Sequence, residues 1–301
     1  MKRIKIVYYS GTGCTETVAN CLEKTLRERG METDRELGIE ADRELGIETE
    51  VFKITAGKSC GLDDTDTLVL LYPVHFFTMP GPVLEWLSGL SEGNGRRAAV
   101  ISVSGGGEIS PNSASRVRAK NILKAKGCDV FYEDSIIMLS NYAVETPEPF
   151  ATMVLKVLPE KVNTAADGIL SGARKKLPTR FFDRFFAWVG RSFRHFAKLW
   201  GRGSRVSSEC DGCGICAGIC SSGNITMTDS KPDFGKNCCM CLGCFYACPK
   251  GALSPKVAKT IIVNNYDLKG LEEKALVSER IDVSGVKAGY LWLGVKKYLS
   301  S

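Results

Sequence analysis

The sequence contains no run of about 18 apolar residues, so no segment reads as a membrane-spanning helix. Its start, Met1-Lys2-Arg3-Ile4-Lys5, leads into a short strand-like run without a small-residue cleavage site, so no signal peptide is expected and the chain reads as cytoplasmic. Histidine is scarce, at two residues, and beyond His75 no acid–base pair presents itself. A phosphate loop of the Gly-x4-Gly-Lys-Ser type is missing, because Phe52 stands where the first glycine before Gly57-Lys58-Ser59 belongs. The dinucleotide pattern Gly-x-Gly-x-x-Gly fails too, since Glu16 replaces its third glycine. No Cys-x3-Cys-x2-Cys triplet for radical chemistry and no DNA-binding motif is present. With 25% charged and 44% hydrophobic residues, full-length disorder, collagen and coiled coil are excluded, and 301 residues is enough for two domains.

Cysteine, by contrast, is abundant, with thirteen residues. In a reducing compartment these read as metal ligands or reactive thiols and not as a disulfide scaffold. Cys14, Cys21, Cys60 and Cys128 are scattered, whereas nine fall between Cys210 and Cys248. Positive charge is equally local. Residues 174–205 hold ten Lys/Arg and one acid, Asp183, a charge of +9 against +6 for the whole chain, so the remainder carries −3 and no general nucleic-acid field follows. The same stretch holds eight aromatics. Wound as a helix, it puts Phe182, Phe185, Phe186, Val189, Phe193, Phe196 and Trp200 on one stripe, opposite Arg184, Arg191, His195, Lys198 and Arg202. The stripe is expected to pack on a neighbouring domain. A membrane surface or an acidic redox partner at 179–202 is the alternative.

Along the first 170 residues, apolar strand-like runs at 4–9, 51–54, 67–72, 98–103 and 135–139 alternate with helical patterns at about 15–29, 83–90, 113–126 and 148–170. This alternation predicts an α/β domain, a doubly wound five-stranded parallel sheet covered on both faces. A direct repeat, Asp34-Arg-Glu-Leu-Gly-Ile-Glu40 and again from Asp42 to Glu48, reads as a duplication that lengthens a surface connection.

The cysteine-rich segment repeats itself. Cys210, Cys213, Cys216 and Cys220 have spacings of two, two and three residues, and Cys238, Cys241, Cys244 and Cys248 reproduce them 28 positions later. Soft thiolates in close triplets suit iron–sulfur clusters, whereas zinc needs four ligands at one site and leaves the second triplet unexplained. The segment resembles bacterial-type two-cluster [4Fe–4S] ferredoxins over about 206–256, a small α+β domain. The resemblance implies that each half lends its last cysteine to the other. One cluster then takes Cys210, Cys213, Cys216 and Cys248, the second Cys238, Cys241, Cys244 and Cys220. The proline that follows the fourth cysteine in that family is present as Pro249 but is Ser221 in the first half. Cys239 falls outside the spacing and reads as a spare thiol.

After the first strand, Ser10-Gly11-Thr12-Gly13-Cys14-Thr15 precedes a helix, and a turn of this kind offers N–H groups and hydroxyls to a phosphate. The loop resembles that of flavodoxins, which implies that Ser10, Gly11, Thr12, Gly13, Cys14 and Thr15 surround the phosphate of FMN, with Ser10, Thr12 and Thr15 as hydroxyl donors and Cys14 a small space-filler. The resemblance further implies that Pro73, Val74, His75, Phe76 and Phe77 after the third strand, and Ser104, Gly105, Gly106 and Gly107 after the fourth, wall the flavin ring. Phe76 and Tyr142 are the candidates to stack on it. His75 either hydrogen-bonds a cofactor or faces solvent.

The whole order resembles flavodoxin–ferredoxin fusion proteins of anaerobes. It implies an FMN domain at 1–172, a basic amphipathic linker helix at 173–205, a two-cluster domain at 206–256 and an extension at 257–301. The function implied is electron transfer among FMN, two [4Fe–4S] clusters and other redox proteins, with no catalytic residue assigned. The alternatives are an FMN-dependent reductase of a small molecule and a redox sensor.

Overall fold

The computed structural model describes residues 2–36, 46–263, 266–283, 285–286 and 289–300. Most of the direct repeat, at 37–45, lies outside the described residues. Five strands form the principal sheet: β1 (Lys2–Tyr8), β2 (Ile47–Lys53), β3 (Thr67–Pro73), β4 (Arg97–Ser104) and β5 (Asp129–Ile137). All pairings are parallel, in the order β2-β1-β3-β4-β5. Helices α1 (Cys14–Glu36), α2 (Gly81–Ser88), α3 (Ser115–Ala125) and α4 (Glu148–Ser171) supply its cover.

Side-chain alternation divides the sheet between two cores. Ile4, Ile6, Val69, Leu71, Ala99 and Ile101 pack on Val18, Leu22 and Leu26 of α1 and on Phe150, Val154 and Leu158 of α4. Val7, Tyr9, Leu68, Leu70 and Val100 face the other way, onto Val83 and Leu87 of α2 and Leu123 of α3. Burial on both faces explains why these strands read as unbroken apolar runs.

The fifth strand begins at Asp129, six residues before the apolar run that marks it in the sequence. Its leading half looks polar, but those charges are paired. Glu133 is buried beside Lys120 Nζ (2.8 Å) and Arg116 Nε (3.6 Å), while Asp134 accepts from Lys175 and Tyr132.

Helix α5 (Phe181–Arg202) leads into a small second unit. Here β6 (Arg205–Val206) pairs antiparallel with β9 (Leu253–Ser254), and β7 (Ile225–Thr228) with β8 (Lys231–Phe234), around the one-turn helices α6 (Ile215–Gly218) and α7 (Gly243–Tyr246). The sequence repeat is also a backbone repeat. Positive φ angles recur at Gly212 and Met240, at Gly214 and Leu242, and at Gly223 and Gly251. Asn224 N–H donates to Cys220 Sγ at 3.2 Å, and Ala252 N–H to Cys248 Sγ at 3.3 Å, again 28 residues apart.

The C-terminal stretch returns to the first domain. Helix α8 (Leu268–Val277) packs along α4, and its Ala275, Val283 beyond it, and Val295 of α9 (Leu293–Ser300) are buried in the same core as β1. Among the described residues no helix is long and apolar enough to cross a membrane.

Candidate functional site

Three loops meet beyond the carboxyl ends of β1, β3 and β4, where open parallel sheets bind ligands. The β1–α1 loop folds on itself, with Ser10 Oγ accepting the Gly13 N–H at 3.1 Å and Gly13 at φ +100°. Thr12 Oγ1 accepts from Asn141 Nδ2 at 2.7 Å. Tyr266 Oη, from the C-terminal stretch, donates to Thr12 O at 2.9 Å and lies 3.1 Å from Cys14 Sγ. Burial pushes the Cys14 thiol up to about 11, so it stays protonated and fills space.

The loop after β3 turns sharply. His75 N–H donates to Thr78 O at 2.9 Å and Thr78 N–H returns a bond at 3.0 Å, with Phe76 and Phe77 both at positive φ between them. Bulky residues in that region store strain, which packing must hold. Phe76 stacks on Phe193 of α5 and meets Tyr142 edge to face at 4.8 Å, while Phe77 touches Phe186 of α5. His75 is half-buried and lines the loop cavity while its ring nitrogen is held from the cysteine side. Its Nδ1 lies 3.2 Å from Cys239 O, and burial holds its pKa down at about 4, leaving it neutral.

The glycine loop after β4 is braced from below. Ser104 Oγ accepts the Gly107 N–H at 3.0 Å, and Glu108 forms a two-point bond with buried Arg116. Gly105 has no room for a Cβ against Ser140, nor Gly107 against Ile137. Gly106 contacts Gly294 of α9, so a segment of no evident sequence signal closes the loop's outer side.

These loops enclose a cavity of about 90 Å³. Of the sequence-predicted residues, Ser10, Gly11, Thr12, Cys14, Thr15, Pro73, Val74, His75, Ser104, Gly105 and Tyr142 line it; Gly13, Phe76, Phe77, Gly106 and Gly107 do not. Asn141 and Ser140 line it without having been legible as site residues, and Cys241, expected as a cluster ligand, lines it as well. Tyr142 Oη is buried there with no hydrogen-bond partner.

Cys241 belongs to the second cysteine loop, which docks directly on the β1–α1 loop. A Cβ on Gly11 would overlap Cys241, and one on Gly243 would overlap Gly11 O. The thiols form two neighbourhoods. Cys238 feels Cys241 and Cys220, the last of the first set, and Cys244 feels Cys241, Cys238, Cys220 and, from the other neighbourhood, Cys216. Cys216 feels Cys248 and Cys210, while Cys213 is exposed. Burial pushes Cys238 up to about 12 and Cys244 higher still. Cys241 is held below the usual thiol range by hydrogen bonding to Cys239, against the effect of burial. Cys239, whose Sγ is 3.0 Å from Tyr9 Oη, is thus a half-buried hydrogen-bonding partner within the interface. Among the described residues no three His, Cys, Asp or Glu side chains converge closely enough to hold a single metal ion.

The strand order and the position of the loop cavity make residues 2–171 a flavodoxin-like α/β domain. Solved structures similar to this part include a short-chain flavodoxin associated with a non-canonical PDU bacterial microcompartment, 20% identical, with 57% of this chain and 99% of that one covered and a TM-score of 0.38. Two-electron reduced Megasphaera elsdenii flavodoxin is 19% identical, with 55% and 98% covered and a TM-score of 0.35. Oxidised Flavodoxin 2 from Bacillus cereus is 16% identical, with 56% and 98% covered and a TM-score of 0.38. No protein-family model and no curated protein matches the chain.

Proposed function

We propose that the protein is an electron-transfer iron–sulfur flavoprotein, taking FMN at the three-loop cavity and a [4Fe–4S] cluster at each cysteine neighbourhood. The observation that supports this most is the docking of Cys241 and Gly243 on Gly11, which sets a cysteine loop against the phosphate loop. A flavin handles one or two electrons and each cubane one, so adjacent sites couple one-electron carriers to two-electron chemistry.

The donor set suits the phosphate end of FMN. Ser10, Thr12 and Thr15 supply hydroxyls, the start of α1 supplies orphan N–H groups, and the unpartnered Tyr142 Oη awaits a polar atom. The volume suits that end as well. About 90 Å³ is well under the roughly 300 Å³ at which ligand pockets begin, so the ring needs the Phe76–Tyr142 pair and the Cys241 loop to part. The thiols suit cubanes better than single ions, because iron at the corners of a cubane spreads its thiolates apart. Backbone N–H groups of Asn224, Met240 and Ala252 donate to Cys220, Cys238 and Cys248, the kind of bond that cluster-ligating sulfurs accept.

Anaerobic reductive titration of the purified protein tests this reading. About four electrons per chain are expected, two at the flavin and one at each cluster, and Cys241→Ser should remove about one. Uptake of two electrons or fewer contradicts it.

A further inference from the structure

Helix α5 packs on the body through its smallest residues. Asp183, Ala187, Gly190, Ala197, Trp200 and Gly201 are its buried positions, and Gly190 and Gly201 lie so close to Thr78 and Cys238 that neither has room for a Cβ. The expected stripe is therefore split: Phe186, Phe193 and Trp200 pack on the body, whereas Phe182, Phe185 and Phe196 are exposed. Phe181 (84% exposed), Phe185 (55%), Trp188 (60%) and Leu199 (68%) face water, with Phe182 and Phe196 beside them.

At about 100° per residue, Phe181, Phe185, Trp188, Phe196 and Leu199 share one stripe running roughly 27 Å along the helix. Along one border lie Arg184, Arg191, His195, Lys198 and Arg202, all exposed. No salt bridge among the described residues reaches any of them. Arg194, which has Glu85 near it, and Arg118 of α3 add to the same field. The only acid of the helix, Asp183, is buried. The exposed half of α5 is therefore divided lengthwise into an aromatic stripe and an uncompensated cationic one. Monomeric proteins rarely expose so long an apolar strip.

We infer that this face is a peripheral docking surface for an anionic lipid membrane. A helix with Trp, Phe and Leu on one side and Lys/Arg on the other lies in the plane of the interface, with its rings at the acyl boundary and its cations among the headgroups. The stripe is straight, with Ser192 between its Trp188 and Phe196 halves, and its open, unpocketed course suits a lipid surface better than a pocketed protein partner. Because Gly201 rests on Cys238 and Trp200 on Phe245, docking holds the second cysteine loop close to the bilayer.

The test is co-sedimentation of the full-length protein with vesicles of phosphatidylcholine alone and of phosphatidylcholine with phosphatidylglycerol. Binding is expected to the anionic vesicles only, to weaken with added salt, and to blue-shift Trp188 emission. Arg184→Gln with Arg191→Gln should weaken binding roughly 25-fold, at about five-fold per cation. Phe185→Ser with Trp188→Ser should abolish it, whereas Leu276→Ser with Val277→Ser, at exposed apolar positions elsewhere, should leave it unchanged. All these positions are at the surface, and circular dichroism checks that the fold survives. Absence of binding to anionic vesicles overturns the inference, including when an acidic protein is captured instead. Binding that survives the aromatic substitutions overturns it equally.

Discussion

Glu16 stands where a dinucleotide-binding loop would carry its third glycine, and its surroundings give it a different task. Its carboxylate accepts from Tyr8 Oη at 2.7 Å and from Lys53 Nζ at 2.9 Å, tying α1 to the sheet. Burial pulls the carboxyl up, but the bonds from Lys53 and Tyr8 outweigh it and leave the group below its ordinary range. A depressed carboxyl contributes stability that is complete above the unfolded value and lost as pH falls toward the folded one. Urea midpoints should therefore hold from pH 7 to about pH 5 and fall below it. Glu16→Gln should flatten part of that fall while costing under about 1 kcal/mol at neutral pH, since the pair is over a third exposed. An unchanged acid slope would contradict the role. The residue type showed which pattern was broken, but not the partners, because Lys53 lies 37 positions away. His75 was harder still to read. Its partner is a backbone carbonyl of Cys239, 164 positions along the chain, and carbonyls leave no trace in composition.

Among the elements, α5 separates what periodicity can tell from what it cannot. Its span and amphipathic character were plain from the sequence, but the side that packs was not. Aromatics suggested burial, whereas close approach to the strained β3 loop selected Gly190 and Ala187. Asp183, the lone acid of a basic stretch, is the anchor. Fully buried, it accepts the Arg180 N–H at 2.7 Å and the hydroxyls of Ser113 and Ser110 at 2.9 and 3.0 Å. Asp183→Ala removes a helix cap and leaves two hydroxyls unpaired, so it should cost about 2–3 kcal/mol. It should also open the segment near Arg180 to proteolysis, and a variant as stable and as resistant as the parent would contradict that anchoring. The strands are legible where both faces are apolar, and β5 starts before its apolar run because the charges of its first half are paired.

At the scale of the molecule, local regularities were readable and long-range docking was not. The 28-residue cysteine repeat is a pattern within one short segment, and it reappears in backbone angles at Gly214 and Leu242. The loop residues after β1, β3 and β4 sit at predictable places in a parallel sheet, and most of them converge on one cavity. Nothing in the sequence announced that Cys241 would line that cavity or that Tyr266 would reach Thr12, since both depend on how separate segments fold together. That docking makes the chain a single redox unit in the function proposed, and cofactor content tests it most directly. Iron, acid-labile sulfide and flavin should be quantified in anaerobically purified protein. About eight irons, eight sulfides and one FMN per chain are predicted from two cubanes and one flavin site; four irons, or no flavin, would contradict the account.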